Sequence, residues 1–149
     1  MLYSPRKQEQ LLIEVMGMPI VRRSKKRDAM LELMRGTTCH PTADWVYQGM
    51  RELYPDISLG TVYRNLNQLC EERLVQRVGT VDGCERFDAD VSPHAHFFCE
   101  RCGVVLDLPD NAPTQAYVKS LSKQYELVVW SHEFKLRGLC ESCGKEENE

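Results

Sequence analysis

Ser58-Leu59-Gly60-Thr61-Val62-Tyr63-Arg64-Asn65-Leu66-Asn67-Gln68-Leu69 is the stretch that decides the fold. Ser58 is a good helix N-cap, because its hydroxyl can accept from the free N–H groups of a first turn. At 100° per residue Leu59, Val62, Leu66 and Leu69 then form one apolar stripe. The opposite side carries Gly60, Tyr63, Arg64, Asn67 and Gln68, with Thr61 at its margin.

Working outward, the same periodicity recurs upstream. Thr42 can cap a helix carrying Val46, Met50 and Leu53, closed by Pro55, and Ser24 can cap another with Ala29, Met30, Leu33 and Met34 inward and Gly36 at its end. Further back, Leu11, Leu12, Val15 and Met16 also recur at helical spacing. Downstream, Leu74–Val78 and Glu85–Phe87 read as strands separated by Gly79-Thr80-Val81-Asp82-Gly83, and the Asp-Gly pair favours a hairpin. Helices followed by a hairpin predict a winged helix-turn-helix, whose last helix enters the major groove while the hairpin lies along the backbone. A generic helical bundle has the same periodicity, so the pattern alone leaves both open.

The remainder changes character. Phe97-Phe98-Cys99 and Val104–Leu108 read as strands around the turn Glu100-Arg101-Cys102-Gly103. Pro113 precedes a helix with Val118, Leu121 and Tyr125 inward, Leu127–Leu136 is rich in strand formers, and the acidic tail Lys145–Glu149 reads as disordered. The expected fold class is therefore α+β: a winged-helix DNA-binding domain over 1–87 and a small α/β domain over 88–149, hinged at Asp88–Pro93.

The 149 residues carry a net charge of -3, which argues against indiscriminate coating of nucleic acid. The average hides an asymmetry: residues 1–87 hold 13 Lys/Arg against 11 Asp/Glu, whereas 88–149 hold 6 against 11. Cations concentrate in Arg22-Arg23-Ser24-Lys25-Lys26-Arg27, so phosphate contacts are expected from the first half. No apolar run approaches the roughly 18 residues of a membrane span, and the N-terminus lacks a signal-peptide pattern, so a cytoplasmic location is expected.

Seven cysteines in a reducing compartment are more readily metal ligands or buried thiols than disulfides. Cys99/Cys102 and Cys140/Cys143 form two Cys-x-x-Cys pairs, each ending in Cys-Gly, and together offer the four sulfurs that structural zinc prefers. Thirty-seven residues separate Cys102 from Cys140, room for a strand–helix–strand excursion. A thioredoxin-like redox motif would need a βαβ pattern that neither pair has. Cys39, Cys70 and Cys84 are left over, Cys70 as a small buried hydrophobe.

His94-Ala95-His96 has i, i+2 spacing, which in an extended segment points both imidazoles to one side. Asp88 lies before them, Asp107 on the following strand, and His40 far away between two helices. Three imidazoles and two carboxylates make a harder site than the thiolates, suited to Fe(II) or Mn(II). Ordinary polar loop residues would give the same pattern, so spacing leaves a second metal site open.

Taken together, His40-Pro41-Thr42-Ala43-Asp44, Ser58 to Leu66, Arg86-Phe87-Asp88, His94-Ala95-His96 and both cysteine pairs, in this order, resemble the ferric uptake regulator (Fur) family over about Val21 to Gly144. The resemblance implies a homodimer with an N-terminal winged helix and a C-terminal α/β dimerisation domain, repressing double-stranded operator DNA when a regulatory metal is bound. It places His40, Asp88, His94, His96 and Asp107 on the regulatory site and the four cysteines on structural zinc. Aspartate at both 88 and 107, where the iron-sensing branch commonly has glutamate, is similar to the peroxide-sensing (PerR) branch, in which bound Fe(II) reacts with peroxide and a ligand histidine is oxidised. His40 and His94 match the histidines oxidised there. Pro93 and Ala95 stand where many iron-sensing members have His and Asp, so the additional site to which His132 corresponds is incomplete. Arg64, directly after Tyr63, is closer to the iron-sensing pattern.

The expected function is thus a peroxide-sensing repressor, not an enzyme. The alternatives are an iron- or manganese-availability sensor of the same family and, remotely, a zinc-dependent hydrolase, against which the absence of a His-Glu-x-x-His motif counts. Tyr63 and Arg64 are expected at base edges or thymine methyls, with Thr61, Asn65, Arg22, Arg23, Lys25, Lys26 and Arg27 on phosphates.

Overall fold

The computed structural model describes residues 24–109 and 112–146. The helix expected around Leu11–Met16, Arg22 and Arg23, and the end of the acidic tail lie outside the described residues.

Three helices come first: α1 (Lys25–Arg35), α2 (Ala43–Leu53) and α3 (Leu59–Glu71). Each starts where a hydroxyl can cap it. Ser24 Oγ accepts from the Arg27 N–H, Thr42 Oγ1 from the Trp45 N–H and Ser58 Oγ from the Thr61 N–H, at 3.1–3.2 Å. A cap of this kind is worth about 1 kcal/mol. The apolar stripes meet in one core built on Met30, Leu31, Met34, Val46, Met50, Val62, Leu66 and Leu69, all at most 2% exposed. Leu53 departs from expectation and is 62% exposed, because α2 ends at that residue; Ile57, in the connection to α3, joins the core instead.

A polar clamp crosses this core. Arg27 is buried, and its guanidinium donates to Asn65 Oδ1, Gln68 Oε1 and Glu72 Oε1, three side chains along one ridge of α3. α1 thereby holds the rotation of α3 about its own axis as well as its distance.

The hairpin is tighter than its sequence suggested. β1 (Gln76–Val81) and β2 (Cys84–Asp88) pair antiparallel around a two-residue turn, with Asp82 at φ 51° and Gly83 at φ 77°. Two adjacent positive φ values are what a hairpin turn matched to strand twist requires. Gly79, Thr80 and Val81, expected in the loop, are therefore strand. The register slips between Arg77 and Gly79, and the intervening Val78 is buried.

The second unit contains β3 (His94–Cys99), β4 (Val105–Pro109), α4 (Ala112–Gln124), β5 (Lys135–Gly138) and α5 (Glu141–Glu146). β3 is central, antiparallel to β4 and parallel to β5, with α4 in the crossover. Of the strand-rich stretch 127–136 only its last two residues reach β5. β3 offers β5 just the positions His96 to Cys99, and strand propensity without a partner edge leaves 127–134 irregular and exposed. Tyr125, expected inward, lies just past the end of α4 and is exposed. The buried centre here is small: Val78, Phe98 and Val105, with Val81 packed against them. Two of those four residues belong to the hairpin, so the units share this core. The close approach is visible at Gly79, where an added Cβ would lie 2.9 Å from the Phe98 ring.

Arg27→Met should destabilise the fold by about 2–4 kcal/mol, because it takes the Arg27 donor from Asn65 and Gln68 and removes the Arg27–Glu72 ion pair. Urea unfolding followed by helical circular dichroism measures this, and a change below about 0.5 kcal/mol would contradict the clamp.

Candidate functional site

The two cysteine pairs are brought together by the sheet. Cys99 ends β3, and parallel pairing sets it opposite Gly138, two residues before Cys140. The first turn closes through the Gly103 N–H on the Cys99 carbonyl at 3.0 Å, and the second through the Gly144 N–H on the Cys140 carbonyl at 2.8 Å. Gly103 has φ 71°, and an added Cβ there would meet Val81 Cγ1 at 2.9 Å, so conformation and space both call for glycine.

All four Sγ atoms lie within 4.8 Å of one another, and Cys102 Sγ is 3.7 Å from Cys140 Sγ. A tetrahedron with Zn–S bonds near 2.3 Å has edges of about 3.8 Å, so the donor set fits zinc. Backbone N–H groups of Cys102 and then Cys140 pull the Cys99 thiol down to about 6, a thiolate ready to bind. Burial, with the neighbouring thiols, pushes Cys143 up to about 12, a cost that a bound cation removes.

The second cluster is drawn from four elements. His40 sits in the loop between α1 and α2 at φ 50°, an uncommon conformation for a side-chain-bearing residue. Asp88 ends β2. His94 and His96 project from one side of β3, and Asp107 stands opposite His96 in the β3–β4 ladder. His40 Nε2 is 2.7 Å from Asp107 Oδ1, and His94 Nε2 lies 3.0 Å from Asp88 Oδ2 and 3.1 Å from Asp107 Oδ1. His96 Nε2 is 3.4 Å from Asp88 and 3.5 Å from Asp107, and His40 Nε2 is 3.8 Å from Asp88.

These last separations exceed good hydrogen bonds, yet all five donors lie within 4.8 Å of one another. Two carboxylates among mostly buried imidazoles leave negative charge that a divalent cation would balance. The donor set, imidazole nitrogen plus carboxylate oxygen, fits Fe(II) or Mn(II). His40 Nδ1 is buried without a partner, so that ring's chemistry is directed through Nε2.

Burial lowers the His96 pKa. At His94 burial also lowers it, but the Ser92 carbonyl, Asp107 and Asp88 outweigh burial and raise it. A cavity of about 350 Å³ with Arg35, Thr38, His40, Asp88 and Asp107 on its walls reaches this cluster.

The expected DNA-contact residues divide. Tyr63 and Arg64 are exposed on α3, with Arg64 donating to Thr61 Oγ1 at 3.2 Å. Lys25 is exposed, and Lys26 rests its ammonium 5.7 Å from the Tyr54 ring centre. Arg27 and Asn65 are corrected: each is only 9% exposed and is bonded to the other inside the clamp, which turns both away from solvent. The hairpin tip, Thr80 to Glu85, carries Asp82 and Glu85 and no cation, so a phosphate contact there would fall to Arg77 at its base. Arg77 was not anticipated. It donates to Asn67 Oδ1 and so joins β1 to α3. Arg86 was read only as part of the Arg86-Phe87-Asp88 motif and given no role of its own, although strand alternation places it on the same side of β2 as Asp88 and opposite the buried Phe87.

The ferric uptake regulator family model matches residues 20–137. The chain is 35% identical over 129 residues to the peroxide operon regulator of Bacillus subtilis, covering 86% of this chain and 88% of that protein. Its fold is similar to the Helicobacter pylori ferric uptake regulator, a structure described as having three functional metal sites, at TM-score 0.75 and 21% identity over 93% of this chain and 91% of that one. It is similar also to the Campylobacter jejuni peroxide stress regulator, at TM-score 0.71 and 25% identity over 95% of this chain and all of that one. Two donor clusters on a helical unit and a small sheet unit, together with a family match spanning residues 20–137 of the 149, lead to one conclusion: the protein belongs to the ferric uptake regulator family.

Proposed function

We propose that the chain is a homodimeric, metal-dependent repressor of operator DNA that senses peroxide at its His/Asp cluster. The observation that carries this is the meeting of His40, from the helical unit, with Asp107, from the sheet unit, at 2.7 Å. A cation shared by ligands from both units favours one relative placement of the two, and hence one separation of the α3 helices in a dimer. The Bacillus subtilis relative's description as a peroxide operon regulator, and aspartate rather than glutamate at 88 and 107, support peroxide as the signal.

Zinc belongs to the four cysteines in this reading, and Fe(II) or Mn(II) to the His/Asp cluster. Fe(II) held there would supply the redox chemistry that activates peroxide. The chain's own part is access and placement: the cavity beside His40 admits a small neutral oxidant, and the rings of His40 and His94 stand next to the shared centre. One peroxide oxygen replaces a ring-carbon hydrogen as a hydroxyl group and the other leaves as water. A histidine so altered binds the cation less well, the two units lose their common ligand, and DNA is released.

On the DNA side, Tyr63 and Arg64 would meet base edges or thymine methyls, with Thr61 Oγ1 holding Arg64 and with Lys25, Lys26, Arg22 and Arg23 on phosphates. Exposed Tyr117, Val128, Trp130 and Leu136 leave apolar surface on the sheet unit, which supports packing of a second copy there. Thiolate ligands are most readily kept in a reducing cytoplasm, and among the described residues no helix is long and apolar enough to cross a membrane. The second reading is a sensor of iron or manganese availability, favoured by Arg64 following Tyr63 and by a donor set that serves either metal.

Anaerobic loading with Fe(II) followed by peroxide should add one oxygen to a peptide containing His40 or His94 and abolish operator binding. Unmodified peptides with DNA binding retained would reject peroxide sensing in favour of the availability sensor. Cys99→Ser with Cys102→Ser should lose zinc, dimerisation and folding together, since structural zinc contributes on the order of 10 kcal/mol; a folded dimer lacking only metal-dependent DNA binding would reverse the assignment of the two sites. Mn(II) affinity should fall as pH drops through the histidine range, because neutral imidazole is the ligand. His94, held above its ordinary value, protonates first and His96 later. Each of these two costs about tenfold per pH unit below its own pKa, readable by calorimetric titration.

A further inference from the structure

Arg86 does work that neither cluster accounts for. Its Nη1 donates to the His40 carbonyl at 3.3 Å, and its Nη2 lies 3.5 Å from the carbonyl of Gly103, the residue after Cys102. The first acceptor belongs to a sensor ligand and the second to the turn that carries two zinc-binding cysteines. Arg86 Nε is buried and has no partner, so the described bonds of this cation go to backbone dipoles alone.

Holding a cation in that way costs desolvation that a similarly shaped apolar side chain would avoid. What the guanidinium provides is its planar fork, with donors in fixed directions towards two acceptors at once.

The geometry around His40 makes the placement matter. Its backbone sits at φ 50°, and the next residue's carbonyl, that of Pro41, accepts from the Phe87 N–H at 3.0 Å. The loop is thus docked on β2 by two neighbouring residues, Arg86 and Phe87. Among the described bonds, Arg86 alone of the pair also reaches the cysteine turn. His40 is in addition the one sensor ligand contributed by the helical half ahead of the hairpin.

The geometry points to Arg86 as a positioning residue that ties the zinc-bearing turn to His40, so that the structural site presets the sensor ligand. This rests on the reading above that the His/Asp cluster holds the regulatory metal.

The test uses the full-length, zinc-loaded protein. Mn(II) is titrated calorimetrically into wild type, Arg86→Met and Arg86→Lys, zinc content is measured in each, and amide hydrogen exchange over 37–42 is followed without Mn(II). Arg86→Met should keep wild-type zinc, exchange faster over 37–42, and bind Mn(II) about 10–100-fold more weakly, the usual loss when a partner that orients a ligand is removed. Arg86→Lys, with the charge but not the fork, should fall between.

Wild-type Mn(II) affinity and unchanged exchange in Arg86→Met overturn the inference. Zinc loss in Arg86→Lys overturns it too, since Arg86 would then be a general strut. If Arg86→Met fails to fold, Arg86→Lys decides: weaker Mn(II) binding with faster exchange supports the tie, and wild-type values sink it. If wild type shows no Mn(II) binding at the cluster, the function proposed above fails. Exchange in the Mn(II)-free proteins still decides the tie, faster over 37–42 for it and unchanged against it.

Discussion

Two aspartates held against three imidazoles set the terms for the rest of the molecule. Asp88 and Asp107 bring acceptor oxygens to a place where His40 and His96 are almost fully buried, and the imidazoles can answer them by donating an Nε2–H or by sharing a cation. The ligands come from a helical loop, the end of the hairpin, and two strands. No one of these elements could form the cluster alone, so its integrity reports how the helical and sheet units are placed. A switch needs an element with more than one arrangement and a ligand that prefers one of them. A cation bound there would meet the second condition, because the donors come from both the helical and the sheet units.

The hairpin links these requirements. Phe87 faces the helical core, whereas Arg86 and Asp88 face the sheet unit, an alternation that follows from the pleat of one strand. At its other strand Val78 and Gly79 press on Phe98, and Val81 lies against Gly103. A hairpin expected to lie along DNA is thus equally an adaptor between units. Its acidic tip is consistent with that duty, while Arg77 registers it against α3.

The periodic parts of the chain were legible from sequence because they depend on local physics. Ser24, Thr42 and Ser58 cap their helices as hydroxyl chemistry dictates, and Val62, Leu66 and Leu69 are buried as their spacing requires. Both donor clusters were also legible, through thiol pairs, the His-x-His alternation and the residue types of Asp88, Asp107 and His40, with the resemblance tying the distant His40 to the others, which no spacing could do. What escaped depends on tertiary partners. Arg27 belongs to a basic run, and only the facing ridge of α3 turns it into a buried clamp. Residues 127–134 have strand propensity without an edge to pair with, and Leu53 and Tyr125 follow the apolar period but sit where their helices stop packing. The length of the hairpin loop turned on two positive φ values at Asp82 and Gly83, which composition suggested without setting the register.

The crossover between the cysteine pairs also orders the birth of the protein. The helical core is made of contacts close in sequence, which form quickly. The parallel pairing of β3 with β5 must instead wait for α4 to be synthesised and for a long loop to close. Every residue of the His/Asp cluster leaves the ribosome before Cys140 and Cys143 do. A nascent chain therefore holds all of that cluster while lacking half of the cysteine cluster, and an ion bound by the four thiols would close the second unit last.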